Sequence, residues 1–202
     1  MDISISRRQL LATLATTPLL ARAGAQTADV PTAAAAAPAV GVAPIVEEVP
    51  YVQTPPHVVH RMLQLTDLAA RDVVWDLGSG DGRIVITAAK KFGARAVGYE
   101  IDPALIRESR ELALQAGVSG RTRFEQKDLF TLAFSEPSVV TMYLLPEFNL
   151  KLRPLLLAQM RPGSRVISHE WDMGDWRPDE TLIIPSNEKP YGTARENRVD
   201  RK

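Results

Sequence analysis

Apolar residues recur along this chain at two periods that take turns. Val58, Val59, Met62, Leu63 and Leu65 fall at helical spacing behind Pro55-Pro56, which predicts a helix opened by proline, the residue best tolerated in a helix's first turn. The run Val73-Val74-Trp75-Asp76-Leu77 is short, apolar and β-branched, a strand signature. The patterns then alternate. A helix is predicted over 82–91 and a strand over 96–101. A helix follows from Asp102-Pro103 to about Ala116, with Gly117 as its stop. Strands are predicted over 122–127 and 138–144, then a helix from Pro146 to Met160. Pro162-Gly163 turns the chain into a strand over 165–170. Such alternation predicts an α/β fold, Rossmann-like and doubly wound around a mainly parallel sheet. Leu182-Ile183-Ile184 predicts one more strand, whereas residues 187–202 are polar and charged with no apolar run, and no strand is expected there.

The first strand runs into Asp76 and then a turn with glycines at 78, 80 and 82. Glycine lets a backbone turn tightly and approach a ligand closely, and in a doubly wound sheet ligands lie over the carboxyl ends of the strands. The glycine spacing is G-x-G-x-G, not the dinucleotide G-x-G-x-x-G. Asp76 at the strand end and Asp81 within the turn would repel a pyrophosphate. Two carboxylates beside exposed backbone suit a cationic ligand, and S-adenosylmethionine carries a sulfonium and an ammonium. Glu100, closing the second strand, is placed to accept from both ribose hydroxyls. Asp76, Gly78, Gly80, Asp81 and Glu100 are therefore the expected cofactor-binding residues.

These residues resemble those of class I, seven-stranded S-adenosylmethionine-dependent methyltransferases. Asp-Leu-Gly-Ser-Gly-Asp-Gly-Arg at 76–83 is similar to their first motif and Gly-Tyr-Glu at 98–100 to their ribose-binding segment. Gln-Lys-Asp-Leu-Phe at 126–130 resembles the segment whose Asp, here Asp128, faces the adenine amino group. Pro-Tyr-Val-Gln-Thr-Pro at 50–55, Tyr-Leu-Leu-Pro at 143–146 and Arg-Val-Ile-Ser-His at 165–169 are similar to bacterial relatives of the mitochondrial lysine methyltransferase that acts on the ATP-synthase c-ring protein. The resemblance implies the fold, S-adenosyl-L-methionine as cofactor, and an amine acceptor such as a protein lysine. It also implies that Tyr51 and Thr54 fold over the methionine end of the cofactor. Such enzymes usually finish with an antiparallel strand inserted between strands five and six, and this chain is expected to lack it, leaving edge groups unpaired.

Acceptor contacts are expected just past the fourth strand. Tyr143 offers a ring face or hydroxyl to an amine, and Glu147 can hold its charge or take its proton. An ordinary strand tyrosine and a first-turn helix acid read equally well. His169, ending the fifth strand, is a candidate proton acceptor or a satisfied structural histidine. Tyr-Leu-Leu-Pro replaces the Asn-Pro-Pro-Tyr and Asp-Pro-Pro-Tyr of many amino-group methyltransferases, so their acceptor-holding mechanism does not carry over. His57 and His60 stand three apart on the first helix without an evident third ligand, so they read as a surface pair and no metal is expected.

Composition adds boundaries. Lys plus Arg and Asp plus Glu both total 24 of 202 residues, so no net charge draws the chain to nucleic acid or anionic lipid. The expected partner is a protein or small-molecule methyl acceptor, not a nucleic acid. Residues 1–25 read as a twin-arginine signal: Arg7-Arg8, a moderately apolar stretch to Leu20 too short to span a bilayer, and Ala23-Gly24-Ala25 as a cleavage site. Residues 26–45, rich in Ala and Pro, read as a linker, and 46–202 as the methyltransferase domain. The expected location is the periplasm or beyond, with the cytoplasm as the alternative. Export conflicts with a cofactor made in the cytosol. The absence of cysteine suits either compartment. A non-catalytic cofactor-binding module and a small-molecule methyltransferase remain alternative readings.

Overall fold

A computed structural model describes residues 51–185 and 193–199, so the expected signal and linker lie outside the described residues. The elements are α1 (Pro56–Leu65), β1 (Val73–Leu77), α2 (Arg83–Phe92), β2 (Arg95–Glu100), α3 (Pro103–Gln115), β3 (Thr122–Gln126), β4 (Val139–Met142), α4 (Pro146–Gln159), β5 (Arg165–His169), β6 (Glu180–Ile183) and β7 (Thr193–Arg198). One seven-stranded sheet runs in the order β3-β2-β1-β4-β5-β7-β6. The first five strands pair in parallel, and β7 pairs antiparallel with both β5 and β6. The order reverses between β1 and β4, which opens the crevice used by ligands of doubly wound sheets at the carboxyl ends of those two strands.

Both sheet faces are covered. Val73, Trp75 and Leu77 pack with Leu152, Leu156 and Val166 on one side, while Val74 packs with Val59, Leu63, Val85 and Ala88 on the other. All five residues of β1 are buried, which explains why an apolar run and not an alternating pattern marks this strand. Helix α1 splits its apolar stripe: Val59 and Leu63 join that second core, and Val58 and Met62 pack with Ile167 and Ala194.

The α/β architecture agrees with the expectation, but the missing last strand does not. β7, Thr-Ala-Arg-Glu-Asn-Arg, occupies the inserted antiparallel position. Its buried side chains are mostly polar, which is why no hydrophobic run announces it. Glu196 is fully buried and accepts from Arg198 Nε at 2.6 Å. Asn197, 1% exposed, donates to the Trp176 carbonyl at 2.9 Å. Pairing in charge and hydrogen bonds replaces burial of hydrocarbon.

Four strands end one or two residues short of expectation, and two of those ends border the site. β4 ends at Met142, three residues before Pro146, which has no N–H to donate to a ladder and opens α4. β5 stops at His169 because Glu170 takes φ 63°, a left-handed conformation that breaks the ladder. These early stops leave Tyr143 and Glu170 in loops above the sheet.

Candidate active site

The glycine turn is fastened to β2. The amides of Gly78 and Ser79 both donate to the Tyr99 carbonyl at 2.9 and 3.0 Å, and the Gly80 amide donates to Glu100 Oε2 at 2.8 Å. Glu100 Oε1 accepts from the amides of Ile101 and Asp102 at 2.7 and 3.1 Å. Its carboxylate therefore organises the turn as well as facing it. Gly80 (φ 54°) has no room for a side chain: a Cβ there would lie 2.4 Å from the Tyr51 ring.

Asp76, 2% exposed, accepts from Thr141 Oγ1 at 2.6 Å. Burial drives its carboxyl up to about 7 against that hydrogen bond, and the charges of Glu100 and Asp81 add to the rise. Asp81 behaves oppositely. Burial raises it, but the hydrogen bonds and charge of Arg83 outweigh burial and hold it below the usual range. Arg83 Nη2 and Nε reach Asp81 Oδ2 at 2.6 and 3.1 Å, and Nε reaches Oδ1 at 2.9 Å.

The donor set fits S-adenosylmethionine. Three carboxylates surround the turn, and the most buried of them accepts from a hydroxyl and has its proton affinity raised by burial. A ligand bearing a sulfonium and an ammonium would lower it again. Asp128 lies exposed beyond β3 and caps a short 3₁₀ turn, Leu129–Thr131, by accepting from the Phe130 amide at 2.9 Å. This puts it at the same carboxyl edge as Asp76 and Glu100.

Across the crevice, the tyrosine and histidine candidates meet. The Tyr143 and His169 ring centroids are 4.1 Å apart at 47°. His169 is 1% exposed, its Nδ1 lies 3.2 Å from Thr54 Oγ1, and its Nε2 lies 3.7 Å from Glu170 Oε1. Glu147 sits exposed in the first turn of α4. His57 is exposed on α1, and His60 packs its ring on Phe92 at 5.6 Å. Among the described residues no cluster of three or more His, Asp or Glu is placed to hold a metal ion, and no helix is long and apolar enough to cross a membrane.

Gln53, Arg83 and Thr141 escaped the reading of the sequence. Gln53 Nε2 donates to Asp81 Oδ2 at 3.3 Å, and Arg83 Nη1 donates to the Thr54 carbonyl at 2.9 Å. A signal for Arg83 was present: it is a cation at a helix N-terminus, where the helix dipole disfavours positive charge, two residues behind an acid. Thr141 carried none, because only the β1–β4 register places it beside Asp76.

A parallel sheet with its last strand inserted antiparallel, an acid-flanked glycine turn and an acid ending β2 together define a class I S-adenosylmethionine-dependent methyltransferase. Residues 76–180 match the ANTKMT methyltransferase domain. A protein-lysine N-methyltransferase of Saccharolobus islandicus is 46% identical over 134 residues, covering 66% of this chain and 83% of that protein. A mouse adenine nucleotide translocase lysine N-methyltransferase is 38% identical over 104 residues, 51% of this chain and 45% of its own. The crystal structure of an RNA methyltransferase from Salinibacter ruber in complex with S-adenosyl-L-homocysteine superposes with a TM-score of 0.69 at 49% identity. It covers 75% of this chain and 95% of its own. The chain belongs to the ANTKMT methyltransferase domain family, and S-adenosylmethionine is its methyl donor.

Proposed function

We propose that the chain methylates an amine, a lysine side chain of a protein. The observation that carries this reading is the Saccharolobus relative named a protein-lysine N-methyltransferase, 83% of whose length this chain spans. The mouse lysine methyltransferase points the same way, though the chain spans less than half of it.

The bound cofactor supplies an electrophilic methyl group. In this reading Asp76 and the Gly78–Gly80 turn hold its cationic methionine end, Glu100 its ribose hydroxyls and Asp128 its adenine edge. Asp81, engaged by Arg83, shapes the turn. Tyr143 offers an aromatic face to the arriving ammonium. Glu147, open to water at the mouth of α4, attracts that charge. Attack needs the neutral amine, so a proton must leave first, and His169 at the end of β5 is the group we assign to take it.

An RNA acceptor is the second reading, favoured by the name of the Salinibacter protein. The balanced charge, 24 basic against 24 acidic residues, argues against it, because polyanion binding draws on an excess of Lys and Arg. The two readings separate in one experiment. Protein incubated with methyl-labelled S-adenosylmethionine and cell extract should label a protease-sensitive band whose hydrolysate contains methyl-lysine. Label in a ribonuclease-sensitive fraction would replace lysine with RNA, label in the low-mass fraction would point to a small molecule, and cofactor binding with no labelled fraction would point to a binding module.

We further propose export through the twin-arginine route, supported by Arg7-Arg8 ahead of the apolar stretch and by Ala23-Gly24-Ala25. Replacing both arginines by Lys should retain the protein in the cytoplasm. Wild-type protein found there at full length would sink the proposal and remove the conflict over cofactor supply.

A further inference from the structure

We infer that Arg83 is a positioning residue that couples the cofactor turn to the acceptor-side histidine through the backbone of Thr54. Arg83 opens α2 behind Gly82, which is itself left-handed (φ 78°) and provides no side-chain cap. A cation at this end of a helix opposes the helix dipole, so helix stability does not explain the residue. Its hydrogen bonds do. One side of the guanidinium grips both oxygens of Asp81, and Nη1 crosses to the Thr54 carbonyl at 2.9 Å. Thr54 is 4% exposed, and its hydroxyl lies 3.2 Å from His169 Nδ1. The His169 ring in turn meets Tyr143. An unbroken line of contacts thus runs Asp81, Arg83, Thr54, His169, Tyr143, from the glycine turn to the far side of the crevice.

The segment carrying Thr54 lies between the glycine turn and the start of α1. Residues 51–55 form no helix or strand, and Tyr51 and Val52 are about half exposed. Tyr51 accepts from the Asp81 amide at 3.1 Å and Gln53 donates to Asp81 at 3.3 Å, both on the glycine turn, while the Pro55 carbonyl accepts from the Val59 amide of α1 at 3.0 Å. A shift of the turn therefore pulls on Thr54 through the Arg83 hydrogen bond, and through Thr54 on the hydroxyl that meets the imidazole. Lysine cannot replace this arginine, because an ammonium lacks the planar fork that serves an acid and a carbonyl together.

The test reads the imidazole directly. The chain has three histidines, so the ring nitrogens of ¹⁵N-histidine-labelled protein can be assigned with a His169→Gln variant. Arg83→Lys and Thr54→Val should each displace the His169 resonances and leave those of His57 and His60 in place. The double variant should displace them no further than Thr54→Val alone, as expected of residues acting in one line. If Arg83→Lys does not fold, the charge-neutral pair Asp81→Asn with Arg83→Gln serves instead and should produce the same displacement. Unmoved His169 resonances in a folded Arg83 variant, with Thr54→Val still effective, would overturn the inference. A kinetic arm rests on the assignment of His169 to the acceptor site. With S-adenosylmethionine saturating, single-turnover methyl transfer should slow by about tenfold to a hundredfold in Thr54→Val, the size expected for misplacement by about an ångström. Moved resonances with unchanged transfer would keep the Arg83 coupling and discard His169 as the proton acceptor.

Discussion

Asp76 sets a conflict between stability and binding. Its carboxyl titrates at about 7 instead of its ordinary 3.8 because burial disfavours the charged form. A raised acid pKa means the folded protein holds a proton that the unfolded chain releases. The stabilising contribution is therefore full below about pH 4 and is lost as pH rises through about 7. Above pH 7, Asp76→Asn should stabilise the cofactor-free protein, by at most about 4 kcal/mol if the whole shift is recovered, and a thermal melt would show it. The same variant should bind S-adenosylmethionine more weakly. Wild-type affinity should climb between pH 6 and 8, with a proton released on binding below pH 7. Calorimetry in two buffers of different ionisation heat would count that proton, and a pH-independent affinity would refute the role. Glu100→Gln tests the neighbouring acid. We expect it to cost about 1.5–3 kcal/mol of cofactor binding, the range for hydrogen bonds to charged groups. It should also lower the melting temperature, because an amide nitrogen cannot accept from the Gly80 or Ile101 amides as the carboxylate does.

Among the elements, β7 shows what a hydrophobic pattern cannot reveal. Its Glu196 is fully buried and pushed above the usual range by burial, against the opposing hydrogen bond and charge of Arg198. Arg198→Ala should therefore destabilise by about 1–3 kcal/mol by leaving a buried acid without its hydrogen bond. Adding Glu196→Gln should recover most of that loss in a chemical denaturation curve. The central strands β1, β4 and β5 were legible from their apolar, β-branched runs, and the glycine turn from its spacing. The last strand was not, because its interior holds a glutamate paired with Arg198 and an asparagine bonded to the distant Trp176 carbonyl in place of apolar side chains. The site divided in the same way. Asp76 and Glu100 stand at strand ends that sequence locates. The pairing of Tyr143 with His169 depends on where β4 and β5 stop, and those stops are set by a proline-opened helix and a left-handed glutamate.

For the whole molecule, the acceptor chemistry dictates a rising pH profile. An amine arrives charged and must be neutral to attack, so turnover on the identified protein should increase with pH until the bound amine is mostly deprotonated. A profile flat from pH 6 to 10 would exclude deprotonation as the limiting event. The sheet's edge adds a second constraint. β6 pairs with the sheet through β7, so β7 cannot leave without taking β6 along. The loop beyond His169 is tied to the same edge: the Glu170 amide donates to the Thr193 carbonyl at 2.7 Å, and Glu170 Oε1 accepts from the Thr193 amide at 3.0 Å. Opening this one edge unmoors Glu170 while β1 to β5 stay folded. Catalysis should then be the first casualty of mild urea, vanishing before the circular dichroism of the helices changes, because the machinery is moored to an edge of the sheet.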